Sequence, residues 1–188
     1  YPSGPESSTP ASPSDPDWRL SAIYAIASVI AKPPESTREL ATHAYAIGLL
    51  FNLAGPHAFN INNGSELRAM IRQTGAVAQI VQAVERCNQI FVQDINEENR
   101  ELYFFAAKAL RTLMAPDAVM TASTAVDEVC ALNGIEALVG GLKYIVQYDT
   151  ATGENADEDA RRQAKETEVI MEALQWILEV KREHVGRF

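Results

Sequence analysis

At 188 residues the chain is long enough for one well-packed domain, and a hydrophobic content of 47% gives that domain a sizeable core. The formal charge of −9, from 25 acidic against 16 basic residues, opposes a generic affinity for phosphate backbones or anionic lipid surfaces and favours basic partners. The longest mainly apolar runs, Ile23 to Ile30 and Ala44 to Phe51, fall far short of the roughly 20 residues that cross a bilayer, so no membrane insertion is expected.

Residues 1–17, YPSGPESSTPASPSDPD, hold five prolines and several serines, cannot sustain a helix and have almost nothing to bury. They are expected as an extended arm, laid against a partner or against the chain's own domain, with the helical domain spanning 18–188. The opening residue is Tyr1 rather than Met, which fits a fragment or a processed chain. Removal of a presequence would place the protein inside the cell in an organelle such as the mitochondrion. Asp17 can cap a helix from about Trp18 to Lys32, which Pro33-Pro34 stops because proline lacks the amide donor and clashes with the preceding turn. Ser36 caps the next helix, with Glu39 at capping-box spacing, and Gly55-Pro56 ends it after Ala54. His57 to Gly64 reads as a loop.

Ser65 opens a helix to about Gln73, Thr74-Gly75 breaks it, and Ala76 to about Phe91 is helical again. After a connection at Asp94 to Asn96, a long helix runs from about Glu97 to Met114, and Pro116 interrupts. Further helices are expected from about Ala118 to Ala131 and, after Asn133-Gly134, from Ile135 to about Gln147. The acidic stretch DTATGENADED, Asp149 to Asp159, reads as a loop before a last helix from about Ala160 to Glu183. No segment sustains the period-2 alternation of a half-buried strand, so the class is all-α, with about eight helices.

Two stretches repeat. QTGAVAQIVQAV, Gln73 to Val84, and LNGIEALVGGL, Leu132 to Leu142, align Ile80 with Leu138 and Val84 with Leu142 at an offset of 58, while the break glycines Gly75 and Gly134 are 59 apart. The helices that follow also match: IGLLFNLA and AKALRTLM at an offset of 60, and MEALQWIL 64 further on. This order, with GIEALV after a small-residue break, resembles the armadillo repeat, whose three helices carry a GIxxLVxLL second helix and an AxxALxNLA third helix. The resemblance covers about Thr37 to Val180. It implies a short right-handed α-solenoid of armadillo/HEAT-like repeats. The period of about 60, against about 42 in the family, places insertions at NQIFVQDINEE and DTATGENADED. A HEAT-like or irregular α-solenoid, or a bundle that imitates one, fits the same spacing.

The resemblance also implies a binding face. Armadillo proteins that read extended basic peptides use Asn and Trp side chains on successive third helices, and the corresponding positions here are Asn52, Thr112 and Trp176. Only Asn52 keeps the Asn, so the ladder is broken. Trp18 and Trp176 are expected as core or interface anchors. Chemistry is harder to find. His43, His57 and His184 are scattered, and Glu39 is the one carboxylate a turn from His43, which makes a surface pair rather than a zinc site. The Asp149 loop has Ala151 and Gly153 where a calcium loop needs oxygen ligands. Asn63-Gly64-Ser65 matches a glycosylation sequon with nothing else to suggest secretion. No phosphate-binding or nucleophile-elbow motif occurs. Gly140-Gly141 suggests close helix packing, Arg161, Arg162 and Lys165 suggest an internal ion-pair network, and Cys87 and Cys130 suggest small buried hydrophobes in a reducing compartment. The expectation is a non-catalytic protein without cofactor or metal. It would hold other proteins as a subunit of a larger assembly, or bind extended peptides of signalling or transport partners in an armadillo groove.

Overall fold

Helix boundaries fall where a side chain or a left-handed residue takes over the backbone. The computed structural model describes residues 18–55, 64–90, 96–117, 119–147 and 156–185. Among these it holds eight helices and no strand: α1 (Trp18–Ile30), α2 (Thr37–Ala54), α3 (Gly64–Gln73), α4 (Ala76–Ile90), α5 (Glu97–Leu113), α6 (Ala122–Ala131), α7 (Gly134–Gln147) and α8 (Ala156–Val185). The Pro/Ser-rich arm, the His57 to Asn63 loop and both sites of insertion, apart from their helical ends, lie outside the described residues.

Ser36 caps α2 through its Oγ, which accepts from the Glu39 amide at 3.3 Å. The Glu39 carboxylate reaches back one residue further than the capping-box spacing implies and accepts from the Glu35 amide at 2.6 Å. Asn96 caps α5 in the same manner, its Oδ1 accepting from the Asn99 amide. The two repeat breaks each turn on one left-handed residue, Gly75 at φ 74° before α4 and Asn133 at φ 62° before α7. These lie 58 positions apart, the same offset as Ile80 and Leu138, so the match does not slip; Asn133, and not Gly134, is the counterpart of Gly75. Asn tolerates this conformation better than other L residues because its side chain bonds locally.

Two boundaries depart from the sequence reading. α6 starts at Ala122 rather than near Ala118, because the Asp117 carboxylate accepts from the Val119 and Met120 amides at 2.7 and 2.8 Å and holds a turn there. Such local bonds compete with helix formation until Thr121 caps the next one. α8 starts at Ala156, inside the acidic stretch expected as loop. Its first turn carries Asp157, Glu158 and Asp159, charges that the positive end of the helix dipole favours.

The packing follows chain order. α5 packs between α2 and α8, α4 packs on both α1 and α7, and the short helices α3 and α6 lie against α4 and α7. One continuous core runs through them, from Ile23, Leu40 and Ile47 through Ile80, Leu102 and Leu110 to Ile145, Ile170 and Ile177. Gly140-Gly141 serves the close approach expected of it: a Cβ on Gly141 would stand 2.5 Å from the Tyr103 ring, and one on Gly140 would stand 2.4 Å from Asn88. Tyr103 in turn donates to Asn88 Oδ1 at 2.6 Å, so α4, α5 and α7 meet at one point.

Candidate interaction surface

Two ion-pair clusters tie sequence-distant helices together. Arg72 of α3 is 8% exposed and pairs with Asp117 at 2.9 Å and Glu128 of α6 at 2.6 Å. Its neighbour Arg68 donates to the carbonyls of Ala54 and Pro116, fastening α3 to the ends of α2 and α5. The burial of Asp117 raises its pKa, but the Val119 and Met120 amides and Arg72 outweigh that and hold it below the usual carboxylate range. Between α5 and α8, buried Arg100 meets Glu166 at 2.8 Å, and Glu166 also accepts from Arg162, which reaches Glu97 and Glu101. Of the basic group at the start of α8, Arg162 therefore builds the expected internal network, while Arg161 and Lys165 are exposed.

The long helices α2, α5 and α8 present aromatic and cationic side chains where they meet. Lys108 of α5 stands 4.2 Å from the Phe104 ring centroid and 5.3 Å from that of Phe51 on α2. Arg111 lies 4.0 Å over the Trp176 ring, linking α5 to α8. Burial lowers the pKa of both Lys108 and Arg111. Trp176 is half-buried against the core, as an anchor would be, and its buried Nε1 finds no acceptor among the described residues. Asn52 is exposed on α2 and Thr112 is half-buried on α5. Trp176 is thus joined to α5 through Arg111 rather than through Thr112. Trp18 opens α1, and its side chain lies outside the described residues.

His43 is not the surface residue its spacing with Glu39 suggested. It is 3% exposed and turned toward α1, near the Val29 carbonyl, and its Nδ1 is buried without a hydrogen-bond partner among the described residues. Burial pushes its pKa below the ordinary 6.5, the Val29 carbonyl and Glu39 pull the other way, and Arg86 of α4 adds to the lowering. Cys87 is buried, its thiol pushed up to about 11 by desolvation, and Cys130 is half-buried; both are free. His57, the Asp149 loop and Asn63 lie outside the described residues, as does the side chain of His184. Among the described residues no group of three His, Cys, Asp or Glu side chains could hold a metal ion, and no single helix is long and apolar enough to cross a membrane.

What the repeat pattern could not locate is where apolar surface stays uncovered. Eight large hydrophobics are more than a third exposed among the described residues. Three lie on α1 and α2 (Tyr24, Tyr45, Leu49), four on α7 and α8 (Ile135, Val146, Met171, Leu178) and one, Val119, in the α5–α6 connection. None lies on α3, α4 or α5. Between α7 and α8 a shallow groove of about 440 Å³ is walled by Val146, Ala160, Gln163, Ala164 and Thr167. Comparison with known proteins finds no matching family model, no matching curated protein and no matching solved structure.

Proposed function

We propose that the chain is a short armadillo-like stack of helical units that works without catalysis, as a protein-binding subunit of a larger assembly. The observation that carries this reading is the distribution of exposed apolar side chains: among the described residues the middle unit, α3 to α5, shows none, while the first and last units show seven of the eight. A stacked repeat buries its faces on its neighbours, and its terminal units need a polar outer face to remain soluble alone. Here those units keep Tyr, Leu, Met and Val side chains in solvent. Tyr45 and Leu49 lie one turn apart on α2, and Met171 and Leu178 two turns apart on α8, so each pair shares a helix face, and exposed apolar faces are where partners dock. The order of packing, with α2, α5 and α8 as one row and α1, α4 and α7 as the other, favours the solenoid arrangement over an unrelated bundle.

The test is affinity purification from the native source at moderate salt. A stoichiometric partner is expected, released by Tyr45→Asp or Met171→Asp and retained by Gln82→Asp, which alters an exposed position of the middle unit. A monodisperse chain with no partner, or one whose partner is indifferent to both terminal variants, would overturn the reading. The second reading is a receptor for extended peptides in the groove of α2, α5 and α8. The cation-bearing aromatics Phe51, Phe104 and Trp176 along that row favour it, and so does the Trp176 N–H, which finds no acceptor among the described residues. Saturable binding of peptides abolished by Trp176→Ala would move the function there.

A further inference from the structure

α8 runs 30 residues, about 45 Å, and only part of its circumference is used by the rest of the molecule. Glu166 and Trp176 contact α5, and Gln163 donates to the Ile145 carbonyl of α7. On the side of the helix opposite α5, Ala164, Thr167, Met171, Leu174 and Leu178 succeed one another at alternating steps of three and four. This is the a/d spacing of a coiled-coil seam. Met171 is 50% exposed and Leu178 70%, while Leu174 between them is partly buried against the core at the edge of this face.

The residues flanking the seam say what covers it. Glu168, Gln175 and Arg182 stand seven apart along one edge of it, and all three are exposed. If a second α8 runs antiparallel about a twofold axis near Gln175, Leu178 of each copy packs on Leu174 of the other. Glu168 then faces Arg182 of the second copy, and the two Gln175 amides face each other. An isologous pair needs this self-complementarity, in which each contact occurs twice with the roles exchanged. Sliding the axis half a heptad toward the N-terminus would set Arg161 against Arg182 of the second copy, a like-charge pair, and sliding it the other way would leave Glu168 without Arg182, so the charges favour this register.

We infer that α8 is a self-association surface: two copies of this chain pair antiparallel along the Met171, Leu174, Leu178 seam, with Glu168 of each opposite Arg182 of the other. This rests on the reading of the terminal units as partner-binding and names a second copy as the occupant of one of them. Sedimentation velocity of the full chain over a concentration series at moderate salt tests it. A reversible dimer is expected. Leu178→Asp raises its dissociation constant at least about tenfold, with the helical circular dichroism signal and the unfolding midpoint of the monomer unchanged. Glu168→Arg weakens the dimer, and Glu168→Arg combined with Arg182→Glu restores it, an outcome that unfolding or unspecific stickiness would not give. Gln175→Cys crosslinks the two copies under mild oxidation. A monomer at every concentration, a dimer indifferent to Leu178→Asp, or a charge reversal that fails to restore pairing would overturn the inference. A monomer that still co-purifies with another protein would end self-association while leaving the subunit reading in place.

Discussion

Arg100 and Glu166 form a buried charge pair between α5 and α8, sequence-distant and invisible to periodicity. Each is ordinary on a helix, and only the fold, which leaves Arg100 2% and Glu166 3% exposed, makes them partners. Replacing Glu166 with Leu strips the buried Arg100 charge of its carboxylate and should cost about 3 to 5 kcal/mol in urea unfolding. The double change Arg100→Met with Glu166→Leu should recover most of that loss, since an apolar pair of similar volume carries no desolvation penalty. His43 shows the reverse case, where the sequence suggested a surface pair and the structure buries the ring. Its folded pKa lies below the unfolded 6.5, so beneath that pH the unfolded chain binds more protons and the folded state loses stability as pH falls. The thermal midpoint should drop between about pH 7 and pH 5, and His43→Phe should flatten that part of the profile relative to the parent, whatever the other two histidines contribute. An unchanged profile would contradict the burial.

At the scale of elements, most starts and stops were legible because they rest on local chemistry: Ser36 and Asn96 as caps, Pro33-Pro34 and Gly55 as stops, Gly75 as a break. The errors have equally local causes. Asp117 diverts two amides that α6 would have used, and a run of three acidic residues looks like loop until the helix beneath it supplies a dipole. An Asn-Gly pair signals a break but not which residue makes it, and here Asn133 alone carries the left-handed turn. Asn133→Gly should therefore be neutral or slightly stabilising, while Asn133→Val should cost about 1 to 2 kcal/mol because a β-branched residue resists positive φ. Gly141→Val should be worse, about 3 kcal/mol, since its Cβ would overlap the Tyr103 ring where α4, α5 and α7 converge. Chemical unfolding of each variant checks the order.

For the whole molecule, the sequence repeat sets the expectation of rows of equivalent helices on which the proposed stack rests. It could not show which apolar residues the packing leaves outside. Met171 and Leu178 share the last helix with Ile170 and Ile177, and composition treats all four alike; only the packing separates core from surface. Trp176 is partly buried against the core and meets α5 through Arg111. The central claim is that the terminal units are covered by protein and the middle unit is not. Hydroxyl-radical footprinting of the protein as it exists in native extract, against the isolated chain at low concentration, reads this directly from Tyr24, Tyr45 and Met171, which react readily and stand at least half exposed. Strong protection of these three side chains in the extract, with Gln82 and Arg86 of the middle unit unchanged, is the predicted result. Equal labelling of the terminal residues in both samples would contradict it.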